Sequence, residues 1–335
     1  MTLVALVAEL RSVAADPVRP EPLRRAAAER LARLAEAHER SVPLVPAAHP
    51  DRWWGVAEVT QPDQAIYPDD VPIPLSGSSL ASLSDCALRW FLSHEVHAES
   101  ARSTALGFGS IVHALAHEVA RSGEPPGLDQ LDTLIDSVWN QMAFEAPWRS
   151  TQEKAHAHTA LARFLRWHTD DRGRELLGTE HSFTVEVTAG GRRVLLRGQM
   201  DRVEIDVEGQ VVVVDLKTSK TPPAAGKVAE HVQLGVYQIA VREGAVPGRT
   251  QSGGAELVQL RNEVKAAPGL PLVQPQAALV EDPDDPGRTW MTGVLESSVR
   301  RLVLEDFSPH PNEWCRFCEF KTVCPARDEG RQVVT

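Results

Sequence analysis

The chain has 335 residues, 42% of them hydrophobic and 24% charged, which is typical of a soluble globular protein. Its 46 acidic residues outnumber the 35 basic ones and give a net charge of −11. This charge argues against a protein that coats nucleic acid non-specifically, because such proteins are basic. It does not exclude a small basic channel, since net charge describes the whole surface.

The sequence predicts neither a membrane span nor a signal peptide. No apolar run reaches the roughly 20 residues that a spanning helix needs, and Met1–Leu10 lacks a basic start. We therefore expect a cytoplasmic protein. Three of its four cysteines lie within ten residues, which is unlike a disulfide framework and predicts metal ligands.

In chain order, the first predicted elements are two helices. Apolar residues at helical spacing predict helices over Leu3–Ala14 and Leu23–His38, which together form a helical arm at residues 1–45. Residues 46–75 are rich in proline and aperiodic, which predicts a linker. The remainder, residues 76–335, is expected to form one domain.

That domain opens with predicted helices and continues with strands. Its first helix is expected to be capped by Ser78 or Ser79 and to carry Cys86. Strand patterns then cover Phe183–Val187, Arg193–Asp206, Val211–Thr218 and Glu256–Arg261, and helical patterns cover Val232–Val241 and Thr289–Leu304. Ala266–Asp285 is expected to be a long loop with one short strand. This order predicts an α/β fold with a small central mixed sheet flanked by helices.

Two neighbouring strands carry a pattern of carboxylates and a lysine. The first contains Asp201, and the second is a run of four valines that ends in Asp215-Leu216-Lys217. If Gly209 closes a three-residue loop in the left-handed conformation, Asp201 lies opposite Asp215. Because side chains alternate along a strand, Lys217 shares their face.

Two carboxylates about 5 Å apart repel each other unless a cation lies between them. Oxygen ligands suit Mg²⁺ or Mn²⁺. The alternative is a surface ion pair between Asp215 and Lys217 at a strand end, with Asp201 and Arg202 paired likewise.

This pattern resembles the signature of PD-(D/E)xK nucleases, in the form found in RecB-like exonucleases and in AddB- and Adn-type helicase–nuclease subunits. Gly109-x-x-x-His113 resembles a helical motif of that branch whose histidine binds metal. Gln233-x-x-x-Tyr237 resembles a motif on the helix that follows the core strands. The four cysteines resemble its iron–sulfur staple. The resemblance extends over about residues 76–330.

The resemblance implies a restriction-endonuclease-like core and one set of Mg²⁺ or Mn²⁺ ligands: His113, Asp201, Asp215 and the backbone carbonyl of Leu216. Lys217 would orient or activate the attacking water. Gln233 and Tyr237 would position the lysine, the water or the phosphate, although both also fit an ordinary helix face. Glu186, on the preceding strand, is a candidate for an extra acidic residue behind the ligands. His117 follows His113 at a spacing that can also hold zinc, but a satisfied or solvent-facing histidine is the simpler interpretation.

The C-terminal Cys-rich segment, Cys315-x2-Cys318-x5-Cys324, needs a fourth ligand to close a metal site. Cys86 is the remaining thiol, and His310 is a weaker substitute. Four thiolates suit either Zn²⁺ or a [4Fe–4S] cluster, and the spacing does not choose between these or free thiols. The resemblance favours the cluster.

The resemblance implies a metal-dependent exonuclease of single-stranded DNA. The chain has no phosphate-binding loop of the G-x-x-x-x-G-K-[ST] type, so a partner would supply the helicase motor in double-strand-break processing. Arg197, Arg202 and Lys220, with Lys217, are expected to form a local basic groove for DNA. Two alternatives stay open: a nuclease of CRISPR adaptation, and an inactive DNA-binding or scaffold domain.

Overall fold

The structure is a computed structural model that describes residues 2–40, 42–53, 65–98, 105–121, 127–139 and 147–330. By its internal contacts the chain divides into two units, Met1–Gln64 and Ala65–Thr335. The predicted arm, linker and nuclease boundaries stay a prediction. Part of that linker and the last residues of the chain lie outside the described residues.

The first unit is built on two helices close to their predicted bounds, α1 (Leu3–Ala15) and α2 (Glu21–Ala35). The side chain of Thr2 caps α1 by accepting a hydrogen bond from the N–H of Ala5, which satisfies one free donor of the first turn. Two short antiparallel strands follow, β1 (His38–Glu39) and β2 (Val42–Pro43). A small apolar cluster that includes residues of both helices holds the unit together.

The second unit contains a six-stranded mixed sheet with helices on both faces. Its strands are β3 (Ile73–Leu75), β4 (Glu175–Ala189), β5 (Arg192–Ile205), β6 (Val211–Lys217), β7 (Ser252–Val264) and β8 (Ala267–Gln276). Its helices are α3 (Gly77–Asp85), α4 (Ala87–His94), α5 (Ala105–Arg121), α6 (Leu128–Trp139), α7 (Pro147–Thr169), α8 (Ala225–Val228), α9 (Val232–Arg242) and α10 (Trp290–Val303). The prediction of a mixed sheet flanked by helices is confirmed.

The sheet combines antiparallel hairpins with two parallel pairs. Strands β4–β5, β5–β6 and β7–β8 pair antiparallel, whereas β3–β5 and β6–β7 pair parallel. The predicted register of the β5–β6 hairpin is confirmed, because Gly209 has a φ of +80° and Arg202 pairs with Val214. That pair is the last in the ladder, so Asp201 and Asp215 come next, just beyond the point where the two strands separate.

Alternation along β6 explains its valine run. Val211 and Val213 pack into the core cluster that contains residues of α3, α9 and α10, whereas Val214 and Leu216 pack into the cluster of α5, α6 and α7. A strand buried on both faces needs apolar side chains at consecutive positions. The charged residues of β6, Asp215 and Lys217, therefore stand only at its end.

The helix that was predicted to carry Cys86 is in fact two helices. Ser76 caps α3, in place of the predicted Ser78 or Ser79, by accepting from the N–H of Ser79. Cys86 has extended backbone angles, φ −162° and ψ 108°, and therefore ends α3 and precedes α4. The break leaves Cys86 half-buried at the junction instead of on a helix face.

Two strands are longer than predicted. β8 occupies residues 267–276, where a loop with one short strand was expected. Its three prolines are tolerated because β8 is an edge strand whose pairing with β7 is irregular. β4 begins at Glu175, eight residues before the predicted strand. Within the described ranges, no helix has the length and apolar character needed to cross a membrane.

Candidate active site and metal centre

An open cleft of about 700 Å³ lies beside the ends of β5 and β6. It is lined by residues of α5, β4, β5 and the chain that follows β6: Gly109, Ser110, His113, Ala114, His117, Glu180, Gln199, Asp201 and Thr218. At its edge, Oδ2 of Asp201 accepts a hydrogen bond from the N–H of Leu216 at 2.7 Å. Where β5 and β6 separate, the side chain of Asp201 thus accepts a hydrogen bond from the backbone N–H of Leu216 in place of a backbone carbonyl.

Two glycines allow helices to approach this cleft closely. A Cβ atom at Gly109 of α5 would lie 3.2 Å from Oγ1 of Thr218, just beyond β6. A Cβ atom at Gly77 of α3 would lie 3.1 Å from Cγ of Gln233. Both distances are tighter than ordinary packing. Glycine, which has no Cβ atom, therefore lets α5 lie close to Thr218 and α3 lie close to Gln233.

α5 presents His113 to Asp201. Nδ1 of His113 lies 3.4 Å from Oδ1 of Asp201, and both side chains are partly exposed to the cleft. Burial lowers the pKa of His113, but the hydrogen bond and the charge of Asp201 outweigh it, so the net shift is upward. His113 and Asp201 therefore form a polarised pair that faces solvent.

Glu180, which was not among the predicted site residues, joins this pair. Single ligand atoms of His113, Glu180 and Asp201 all lie within 4.8 Å of one another. Burial and the nearby Asp201 raise the pKa of Glu180. Gly190 and Gly191, with φ values of +56° and +76°, form the predicted β4–β5 turn.

Counting back from that turn would have found Glu180. Thr179 pairs with Arg202 and His181 pairs with Met200, so Glu180 occupies the position opposite Asp201. The predicted strand, Phe183–Val187, began too late in the chain to include it. Glu180 also has a positive φ of 51°, which a sequence pattern does not reveal.

The other half of the site is centred on Asp215, which is only 2% exposed. Its Oδ1 accepts hydrogen bonds from Nε2 of Gln233 at 3.1 Å and from the hydroxyl of Tyr237 at 3.2 Å. Its Oδ2 lies 2.6 Å from Nζ of Lys217. Lys217 also donates to Oε1 of Gln233 at 3.0 Å, so four predicted residues form one network.

The electrostatics of this network favour a cation. Burial raises the pKa of Asp215, Lys217 opposes that shift, and Asp201 reinforces it. Burial and the same carboxylates raise the pKa of Tyr237, which therefore stays a hydroxyl donor. Oδ2 of Asp215 is buried and, among the described residues, makes no hydrogen bond beyond its ion-pair contact.

The donor set fits a hard divalent cation. An imidazole and two carboxylates meet at the cleft, and the buried carboxylate of Asp215 belongs to the adjoining network. Of the predicted ligands, the structure brings His113 and Asp201 together, with Leu216 against Asp201. Asp215 is not in the group within 4.8 Å.

Comparison with known proteins identifies the family. The family model of the PD-(D/E)XK nuclease superfamily matches residues 74–325, well over half of the chain. The chain belongs to the PD-(D/E)XK nuclease superfamily. The solved crystal structure of SSO0001 is similar at 14% identity and a TM-score of 0.40, over 79% of this chain and 90% of that chain. No curated protein matches the chain.

Membership in the PD-(D/E)XK superfamily shows a nuclease domain, and such nucleases use divalent metals. The matched range includes every residue of the cleft and of the Asp215 network. It also includes the Cys-rich segment up to Cys324. The superfamily part of the predicted resemblance is therefore confirmed.

Other predicted residues of this PD-(D/E)XK domain lie apart from the network. Glu186 is exposed and pairs with Arg193 on the neighbouring strand, 2.9 Å away. His117 is hydrogen-bonded to Oγ1 of Thr179 at 2.7 Å, which agrees with a satisfied histidine. Arg197 and Lys220 are exposed, as a DNA contact requires.

Arg202 is placed differently from the prediction of a DNA contact. It is 4% exposed and points to the face of the sheet that carries α7. There its Nε donates to Glu204, whose carboxylate is fully buried and also pairs with Arg172 and Arg174. Side chains alternate along β5, so Arg202 faces away from Asp201 and its placement argues against contact with DNA.

The cysteines come together only in part. Cys86, Cys315 and Cys318 line one cavity of about 170 Å³ at the end of α3. Backbone N–H groups point at two sulfurs, that of His310 at Cys86 (3.4 Å) and that of Asn312 at Cys315 (3.1 Å). Cys324 does not line this cavity, and all four thiols are free and half-buried.

Proposed function

We propose that this PD-(D/E)XK domain is a deoxyribonuclease that hydrolyses phosphodiester bonds of single-stranded DNA from an end. One observation carries the nuclease part. Lys217, Asp215, Gln233 and Tyr237 form a continuous network beside the His113–Glu180–Asp201 group. A surface ion pair would not need a buried carboxylate with two further donors.

The proposed cofactor is Mg²⁺ or Mn²⁺, held by His113, Asp201 and Asp215, with Glu180 and the carbonyl of Leu216 as further oxygen donors. When bound, such a cation supplies Lewis-acid activation of water and offsets charge on the phosphate. The donor chemistry of the cleft and the nearby buried carboxylate of Asp215 support this assignment.

The protein's own residues have separate tasks in this proposal. Lys217 orients the attacking water and offsets the negative charge that develops on the phosphate. Gln233 holds the ammonium through its carbonyl oxygen and the carboxylate of Asp215 through its amide. Tyr237 ties that carboxylate to the backbone of β5, because its hydroxyl lies 3.1 Å from the carbonyl of Gln199. Gln233 and Tyr237 thereby fix the geometry in which Lys217 acts.

The preference for single strands and the requirement for an end rest on the resemblance to RecB-like exonucleases. A linear single-stranded oligonucleotide and a circular single strand of the same composition, compared with Mn²⁺ present, test the requirement for an end. We expect the linear strand to be degraded and the circle to persist. Cleavage of both at equal rates would contradict the exonuclease, whereas no cleavage of any DNA by the full chain, alone or with a helicase, would favour the scaffold alternative.

We further propose that the cysteines hold a [4Fe–4S] cluster and that a helicase feeds the strand to this domain. The shared cavity and the N–H groups aimed at sulfur support the cluster.

The cluster has a direct test. Protein purified without oxygen should be brown, absorb near ~400 nm and contain iron, whereas Cys318→Ala should lose the colour. Colourless wild-type protein with one zinc ion per chain would contradict the cluster. The helicase partner is testable by co-purification of a motor ATPase with the full chain; a chain that degrades duplex DNA ends unaided would contradict it.

A further inference from the structure

Four glutamine side chains are buried between the sheet and the chain that leads into α9. Gln238 and Gln259 are fully buried, and Gln276 and Gln274 are 3% and 8% exposed. Burying an amide is unfavourable unless its hydrogen bonds are made. Gln259, Gln274 and Gln276 share one face of β7 and β8, since Gln274 pairs with Leu257 and Gln276 with Ala255.

These amides hold the connection between β6 and α9, residues 218–231. Nε2 of Gln276 lies 2.9 Å from the carbonyl oxygen of Val228 and 3.2 Å from that of His231. Nε2 of Gln274 donates to the carbonyl of Pro223 at 2.8 Å. The connection thus hydrogen-bonds to side chains of β8 at its middle and at its end.

The same amides reach into α9 itself. Nε2 of Gln238, on α9, donates to Oε1 of Gln276 at 2.9 Å and to the carbonyl of Ala277 at 3.1 Å. Oε1 of Gln238 accepts from the N–H of Leu279 at 2.8 Å. α9 is therefore fixed at its start and in its middle, five residues from Gln233.

That fixation matters because the network joins two separate elements. Asp215 and Lys217 end β6, whereas Gln233 and Tyr237 project from α9. Lys217 and Gln233 meet at 3.0 Å only if the start of α9 keeps its place relative to β6. Misplacement of a reacting group by about 1 Å can reduce a rate about 10²-fold.

We propose that Gln276, supported by Gln238, is a positioning residue for the proposed nuclease reaction. It acts on no substrate atom. It fixes the first turn of α9 so that Gln233 engages Lys217 and Asp215 together. The reaction in question is the nuclease activity proposed above, so the kinetic part of this inference rests on that proposal.

The test compares Gln276→Leu with Gln251→Leu in the full chain. Leucine keeps the approximate size but removes the donors to Val228 and His231, whereas Gln251 is exposed just before β7. We expect Gln276→Leu to lower kcat about 10-fold or more with a nearly unchanged KM for single-stranded DNA. Gln251→Leu should match wild type. A folded Gln276→Leu protein with wild-type kcat would overturn the proposal.

A double-mutant cycle separates positioning from general destabilisation. If Gln276 acts through Gln233, its effect on kcat should disappear in a Gln233→Ala background. Equal effects of Gln276→Leu in both backgrounds would overturn the proposal, because they would show a route that does not involve Gln233.

Hydrogen exchange gives a readout that needs no activity. The N–H of Gly235 donates to the carbonyl of His231 in the first turn of α9. Its protection should fall in Gln276→Leu while that of the β5–β6 ladder is retained. Unchanged protection would overturn the proposal. If Gln276→Leu loses this protection but wild type cleaves no DNA, the positioning role of Gln276 stands and the proposed nuclease function fails.

Discussion

Nζ of Lys217 lies 2.6 Å from Oδ2 of Asp215, a carboxylate that is almost completely buried. The pair stands at the end of β6, where the strand leaves a core that is apolar on both faces. Gln233 bridges the same two residues through its amide. The lysine is therefore held in one geometry by two acceptors, which is what a positioned catalytic ammonium requires.

The bridging role of Gln233 predicts the result of its removal. Gln233→Leu should lower kcat about 10-fold to 10²-fold, because Lys217 loses one acceptor and Asp215 loses one donor. Activity should persist at a reduced level, since the ion pair and Tyr237 remain. Steady-state kinetics on single-stranded DNA measures this effect, with Gln152→Leu on the exposed face of α7 as control. Equal kcat values for the two variants would contradict the role.

Glu180 and Glu186 give a matched pair on one strand. Glu180→Gln removes a charge from the group with His113 and Asp201, so we expect the Mn²⁺ concentration for half-maximal activity to rise about 10-fold or more. Glu186→Gln should leave it unchanged, because that carboxylate pairs with exposed Arg193. A metal titration of both variants measures the difference. The reverse ranking would show that Glu186, the residue first predicted, belongs to the metal centre.

Arg202 and Arg197 should differ in what they stabilise. Arg202→Ala leaves buried Glu204 with two arginine partners instead of three, and should cost about 1–3 kcal/mol of the free energy of unfolding. Its affinity for DNA should be unchanged. Arg197→Ala should weaken DNA binding and reduce the slope of log affinity against log salt concentration by about one, with little loss of stability.

Urea unfolding and binding titrations at several salt concentrations separate the two effects. Loss of DNA affinity in a fully folded Arg202→Ala protein would contradict the placement of this side chain. So would a stability of Arg202→Ala equal to that of wild type.

The contrast between Arg197 and Arg202 illustrates what the sequence could predict. Strand alternation and the Gly209 loop predicted the hairpin register, because it depends on local geometry, whereas Gln233 and Tyr237 were predicted only through the resemblance to RecB-like nucleases. Alternation alone could also have placed Arg202 on the face opposite Asp201. Arg172 and Arg174, which pair with the same Glu204 as Arg202 does, come from the connection after α7, a distant contact that spacing does not encode.

Two further differences from the sequence prediction concern Glu180 and Cys86. Glu180 lies opposite Asp201 in the β4–β5 register, but the predicted strand did not extend to it and its positive φ is not typical of a strand. The break at Cys86 interrupts an apolar pattern that suits one continuous helix, and the contact with His310, far along the chain, favours the break. Only the second case involves a contact between distant parts of the chain.

His168 predicts a pH dependence of stability. Burial lowers its pKa to about 4, with help from the charges of Arg202 and Arg172. Its Nδ1 lies 3.0 Å from Nη1 of Arg202 and accepts a hydrogen bond only when unprotonated. As pH falls from about 6.5 to about 4, the unfolded chain binds a proton that folded His168 refuses, so the free energy of unfolding decreases.

His168→Gln keeps an acceptor for Arg202 and does not titrate, so it should lose less stability than wild type over that window. Burial and Lys217 also lower the pKa of His231 to about 4, so part of the dependence should remain in the variant. Urea unfolding at pH 7 and pH 4.5 measures both, with exposed His156→Gln as control. Identical losses in His168→Gln and wild type would contradict the prediction.

The most direct test of the account is the rate of single-stranded DNA cleavage by wild type and Asp215→Asn in Mn²⁺, with Asp284→Asn in an exposed loop as control. Asparagine keeps the shape of the buried side chain but removes the charge that Lys217 and a cation require. We predict that wild type and Asp284→Asn cleave equally and that Asp215→Asn is slower by more than about 10²-fold. A folded Asp215→Asn protein that cleaves at the wild-type rate would contradict the assignment of this cleft as the active site.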